Sequence, residues 1–157
     1  MDLREQCDHL LRISSRGKNP VSHAELHEAI HSKWEGVQIT AARGLARWGD
    51  DESVDAIKAL LHEFSSKGAH WAATGAVADV LAPLLHEGDI PWVLDLFFES
   101  SNRHNRSFLT QLFNNLPPKV ALQEVQKWTD HRRSDARDVK LAKSAIEYAA
   151  RTTASGR

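Results

Sequence analysis

Cysteine is almost missing from this chain: Cys7 stands alone in 157 residues. A lone thiol excludes an internal disulfide framework and fits a reducing compartment. No apolar run approaches the roughly 20 residues of a membrane-spanning helix. The opening MDLREQCDHLLRISSRGK carries charge where a signal peptide needs an apolar centre. The expected location is therefore the cytoplasm, with no membrane partner. Phosphate-cradling glycine loops are lacking too, because Gly36 and Gly44 fall inside helical patterns while Gly49 and Gly88 mark turns. No serine stands in a readable base-and-orienter arrangement, and Cys7 with His9 makes no triad. The expectation is a chain without catalysis and without a cofactor.

Apolar/polar alternation long enough for a sheet is also absent, whereas helix-favouring residues run nearly throughout. The chain is 41% hydrophobic and 26% charged, the composition of one domain with a substantial core. Breaks at Gly17 to Pro20, Gly49-Asp50, Ser65 to Gly68, Gly88-Asp89, Ser100 to Asn102 and Pro117-Pro118 divide it into helix-sized pieces. The spacing predicts helices near 2–15, 21–32, 35–48, 52–66, 69–86, 90–100, 103–116, 119–129 and 134–151. Residues 1–151 are read as one domain and the small, polar 152–157 as a flexible tail.

Charge is unevenly placed although the net value is only −1. Residues 1–102 hold nine Lys/Arg against sixteen Asp/Glu, and residues 103–157 hold eleven against five. Such a dipole can orient a charged partner during encounter.

The most regular stretch runs from Val37 to Leu61. Val37, Ala41, Ala42, Leu45 and Trp48 share one helical face, with Arg43 and Arg47 opposite. Gly49 can close that helix in the left-handed conformation, and Asp50 or Asp51 can cap the next. Val54, Ile57, Ala59, Leu60 and Leu61 then supply a second apolar stripe. A weaker copy follows 36 residues on, with Ala73, Val77, Ala78 and Leu81, and Gly88-Asp89 repeats the turn.

This pattern resembles a HEAT-like repeat of the short type also found in relatives of phycobilin lyases. Two positions depart from it: Gln38 stands where an Arg is expected, and Ala46 where a second Gly is expected. The resemblance implies an all-α fold, a short right-handed α-α superhelix of about four helical pairs preceded by an N-terminal helix. In such a solenoid the second helix of each pair lines a concave binding face. The residues placed there are Arg43, Arg47, Trp71, Asp79, Arg103, Arg106 and Asn114, the arginines suited to clamping carboxylates or phosphates. Trp48, Trp92, Trp34 and Trp128 are read as core. Small free-standing HEAT-like proteins include adaptors and immunity partners of toxins, so the implied role is binding another protein. Nucleic acid is disfavoured because the chain lacks an overall positive balance.

A second pattern competes. His27-Glu28-Ala29-Ile30-His31 spells H-E-x-x-H, which places two histidines on one helix face for zinc with Glu28 as general base. His23 extends the ladder to three, His23, His27 and His31. Glu25 and Lys33 put charge where a peptidase helix carries uncharged and apolar neighbours, and no third ligand follows at the usual spacing. A carboxylate at Asp51 or Glu52 is expected to begin the next outer helix, at the far end of the stack from His31 and beyond a shared coordination sphere. No resident metal is expected, with the His23/His27/His31 ladder kept as the alternative site.

Overall fold

The computed structural model describes residues 1–67, 71–100, 103–131 and 135–155, excepting the side chains of 103–105, 131, 154 and 155. Among them every regular element is helical: α1 (Leu3–Ser15), α2 (Pro20–Ala29), α3 (Glu35–Trp48), α4 (Asp51–Lys67), α5 (Trp71–Leu81), α6 (Ile90–Glu99), α7 (Arg103–Leu109), α8 (Pro118–His131) and α9 (Ala136–Ser155). Short 3-10 turns follow α5 (Ala82–Leu84), precede α6 (Glu87–Asp89) and follow α7 (Thr110–Phe113). No described helix is long and apolar enough to cross a membrane.

Local chemistry explains several of the boundaries. Asp2 and Glu5 close a reciprocal capping box at the start of α1. Asn19 caps α2, and Pro20 occupies its first turn, where the missing N–H is not needed. Gly49 ends α3 at φ 62°, ψ 16°, a conformation that costs a residue with a Cβ.

Several boundaries differ from the sequence expectation, among them the helix expected over 103–116, which stops at Leu109 and passes into the 3-10 turn Thr110–Phe113. Helix α2 stops at Ala29 rather than near 32, because His31 N–H bonds the carbonyl of Glu28 and Ser32 N–H that of Ala29, tightening the last turn. Helix α5 gives way to a 3-10 turn at Pro83, which has no N–H to continue the ladder. The expected flexible tail is helical through Ser155. There Thr152 and Thr153 fold their hydroxyls back onto the carbonyl of Ala149.

One contiguous apolar core runs from Leu10 in α1 to Ile146 in α9. Helix α3 lies at the centre of its first half, packed against α1, α2, α4 and α5. Val37, Ala41, Ala42, Leu45 and Trp48 are buried there, as their shared face requires. Gly44 lets α3 approach closely: a Cβ on it would lie 2.8 Å from Leu26 Cδ2 and 3.1 Å from Ser14 Cβ. Farther along, α5 packs on α7 and on the turn 110–113, that turn packs on α9, and α8 packs on α6 and α9.

The tryptophans divide differently from expectation. Trp48 is buried, and Trp92 and Trp128 are half-buried against the core. Trp34 is a correction: it precedes α3 with 46% of its surface exposed and Lys33 Nζ 5.2 Å from its ring centre.

Candidate functional site

Two helix ends meet in the first half of the molecule. Helices α2 and α3 are joined by a short connection, so α3 carries the chain back along α2 for about 21 Å at 1.5 Å per residue. The chain therefore leaves Trp48 beside the start of α2, and α4 begins there. His23 and His27, one turn apart on α2, consequently face the first turn of α4.

The contacts at this junction are close. His27 Nε2 lies 3.1 Å from His23 Nε2. His23 Nε2 is also 3.2 Å from Ser53 Oγ and 3.3 Å from Asp50 Oδ2. Ser53 donates its hydroxyl to Asp50 Oδ1 at 2.6 Å. That bond is the largest influence on the Asp50 carboxyl and holds it below its ordinary value. Burial opposes it, while the residue's own backbone N–H and His23 add to it. The indole of Trp48 stacks on His23 with ring centres 4.9 Å apart and planes 21° from parallel. Glu52 completes the group, for it, His23 and His27 each bring a ligand-type atom within 4.8 Å of the others. A cleft of about 390 Å³ beside them is lined by Lys18, Asn19, Pro20, His23, Trp48 and Asp50.

His31 does not join them. Because α2 ends at Ala29, His31 leaves the helical register of His27 and lines a separate cleft with His9, Glu25 and Glu28. In that cleft His9 Nε2 pairs with Glu25 Oε2 at 2.6 Å. The letters H-E-x-x-H are thus split between two sites. The expected separation from the start of α4 concerned His31; His23, near the start of α2, and His27, one turn farther along it, both come within 4.8 Å of a Glu52 oxygen. Glu52, too far from His31 on the sequence reading, is within reach of His23 and His27 because α3 carries the chain back beside α2.

The residues expected on the concave face fare unequally. Arg43 and Arg47 on α3 and Asp79 on α5 are exposed, as is Asn114 after the turn 110–113. Trp71 is 53% exposed and stacks on Phe108 with ring centres 5.0 Å apart. The side chain of Arg103 lies outside the described residues. Arg106 is turned inward instead: Nε donates to the Phe97 carbonyl at 3.1 Å, and Nη2 to those of Phe98 and Ser100 at 3.0 and 2.9 Å. Its Nη1 pairs with Asp138, and both side chains are at most 15% exposed. Arg106 is therefore a cap on the C-terminal end of α6, with its charge spent inside the fold.

Gln38 does the same for α2, donating from Nε2 to the Ile30 carbonyl at 3.1 Å. Helix C-termini leave carbonyls without partners in the helix, and these two side chains supply donors. Comparison of the chain with protein-family profiles, with curated proteins and with solved structures finds no match.

Proposed function

We propose that this chain is a non-catalytic binding module, built as about four HEAT-like helical pairs behind α1, that grips another protein along the face of its second helices. In this reading α2–α3, α4–α5, α6–α7 and α8–α9 are the pairs, stacked as a short right-handed superhelix. The observation that carries it is the shared register of Gln38 and Arg106. Each is the fourth residue of a second helix, and each caps the C-terminal end of the first helix of its pair. The Arg that the repeat pattern expects at Gln38 stands at Arg106, so one structural device recurs at equivalent places. Packing of α3 on α5, α5 on α7 and the turn 110–113 on α9 supports a row of second helices.

Arg43 and Arg47 are exposed, with no salt bridge to either among the described residues, and stand in an acidic N-terminal half. Two exposed guanidiniums one turn apart suit a carboxylate-bearing protein surface. The role is that of a cytoplasmic adaptor or a toxin-neutralising immunity protein. The test is affinity capture with wild type and an Arg43→Glu/Arg47→Glu double variant as parallel baits. A partner held by the wild type and lost from the variant is the expected result. Equal capture by both baits overturns the face, and salt-sensitive binding to duplex DNA with no protein partner overturns the class.

A further inference from the structure

We propose that His23, His27 and Glu52 form a binding site for one divalent transition-metal ion of the Zn²⁺ class, bridging α2 to α4, with Asp50 as the fourth group in reach. The inference is independent of the binding face above and uses none of its residues.

The spacing of the two ring nitrogens is the first support. Two imidazoles bound at about 2.05 Å to one ion, with angles between 90° and 110°, hold their nitrogens roughly 2.9–3.4 Å apart. The observed separation of 3.1 Å between His23 Nε2 and His27 Nε2 falls inside that interval.

Valence is the second support. An imidazole nitrogen directs one bond, through either its proton or its lone pair. His23 Nε2 nevertheless has three polar neighbours, at 3.1, 3.2 and 3.3 Å. An ordinary His23–Asp50 ion pair accounts for one of these and leaves the His27 ring nitrogen pointed at another ring nitrogen. A cation shared by the two lone pairs and the carboxylates accounts for the convergence.

Preorganisation is the third. Trp48 fixes the plane of His23 by stacking, and the His23 and His27 rings meet edge to face with centres 4.3 Å apart. Ser53 holds Asp50 by Oδ1, which leaves Oδ2 on the His23 side. Ligands already held in place lose little freedom on binding. Glu52 is exposed and adjusts by rotating its own side chain, and the cleft lined by Lys18 and Asn19 gives an ion access. Two imidazoles with carboxylates select Zn²⁺, Ni²⁺ or Cu²⁺ over Ca²⁺ and Mg²⁺, which take oxygen ligands.

The ligands come from two helices separated by the whole of α3, so a bound ion would staple the first pair to the second. Binding to the folded chain alone raises its stability by mass action. The experiment uses untagged, chelator-treated full-length chain titrated with Zn²⁺, read by calorimetry and by the shift in thermal midpoint. Expected is one equivalent bound with a rise in midpoint. His27→Ala should abolish both. The exposed Glu52→Gln, which leaves the core untouched, should weaken affinity about tenfold or more. His31→Ala should bind as the wild type does. No stoichiometric binding, binding only at millimolar Zn²⁺, an unaltered affinity in Glu52→Gln, or an equal loss in His31→Ala would each overturn the site.

Discussion

Gln38 on α3 and Arg106 on α7 do the same work, each the fourth residue of its helix and each donating to a carbonyl at the end of the helix before it. They differ in strength. Gln38 makes one neutral hydrogen bond, whereas Arg106 makes three to carbonyls and an ion pair to Asp138. Arg106→Met should therefore lower stability by about 3 kcal/mol, since Asp138 loses its cation in a nearly closed site. Gln38→Leu should cost about 1 kcal/mol. Arg106→Lys should recover only part of the loss, because one ammonium cannot reproduce the guanidinium fork. Urea unfolding with an unchanged slope measures all three.

Lys58 and Asp89 give a pH-dependent counterpart. Lys58 Nζ lies 2.6 Å from Asp89 Oδ1, with the side chains 18% and 10% exposed, and 5.3 Å from the Trp92 ring centre. Burial pushes the Asp89 carboxyl up. The Lys58 hydrogen bond, the His86 backbone N–H and the Lys58 charge outweigh it, so the group sits below its ordinary 3.8. A carboxyl depressed on folding stabilises the chain above its unfolded value and loses that contribution as pH falls through the folded one. Lys58→Met should cost roughly 2–3 kcal/mol at pH 7. The gap to wild type should narrow below pH 3.8, where Asp89 takes up its proton. Denaturant midpoints across pH 2.5 to about 7 read this out; a gap that widens towards acid contradicts it.

The glycines of α3 should respond with opposite signs. Alanine favours a helix over glycine by up to about 1 kcal/mol. At Gly36 a Cβ meets nothing within 4 Å, so Gly36→Ala should stabilise by about 0.5 kcal/mol. At Gly44 it would press on Leu26 and Ser14, both buried, and the crowding exceeds the helix gain. Gly44→Ala should cost about 1 kcal/mol net. Thermal midpoints of the two variants against wild type decide it.

The surface arginines should be silent in stability. Arg43 and Arg47 are exposed and lie on the side of α3 opposite Leu45 and Ala41. The Arg43→Glu/Arg47→Glu variant should unfold within about 0.5 kcal/mol of wild type. Any loss of partner capture is then a loss of contact and not of fold. Far-ultraviolet circular dichroism during thermal unfolding provides the control.

The helices were legible where periodicity and punctuation agreed. Val37, Ala41, Leu45 and Trp48 mark a buried face, and Gly49 marks its end, because these effects act within a few residues. Arg106 departs from its expected place for the same reason. As a cation on a surface-like helical position it reads as a groove residue, and only the return of α6 beside α7 converts it into a cap. The residue type of Trp34 suggests core, but its place before the first turn of α3 leaves it on the outside. The His23–Glu52 junction depended on the folding-back of α3, a tertiary fact that spacing along the chain does not carry. The five letters at 27–31 misled in a simpler way, since their chemistry requires a helix that runs through His31, and α2 stops short.

Arg106 also ties together parts of the chain that lie far apart in sequence. Its guanidinium holds the last carbonyls of α6 and, through Asp138, the first turn of α9. Neither end can fray alone without stranding the cation of the other. Backbone amides at the two ends should accordingly exchange with solvent as one cooperative unit, at a rate above that of the amides around Leu45 at the packed centre. The end of α6 and the start of α9 should then open in concert, with Arg106 setting their shared threshold.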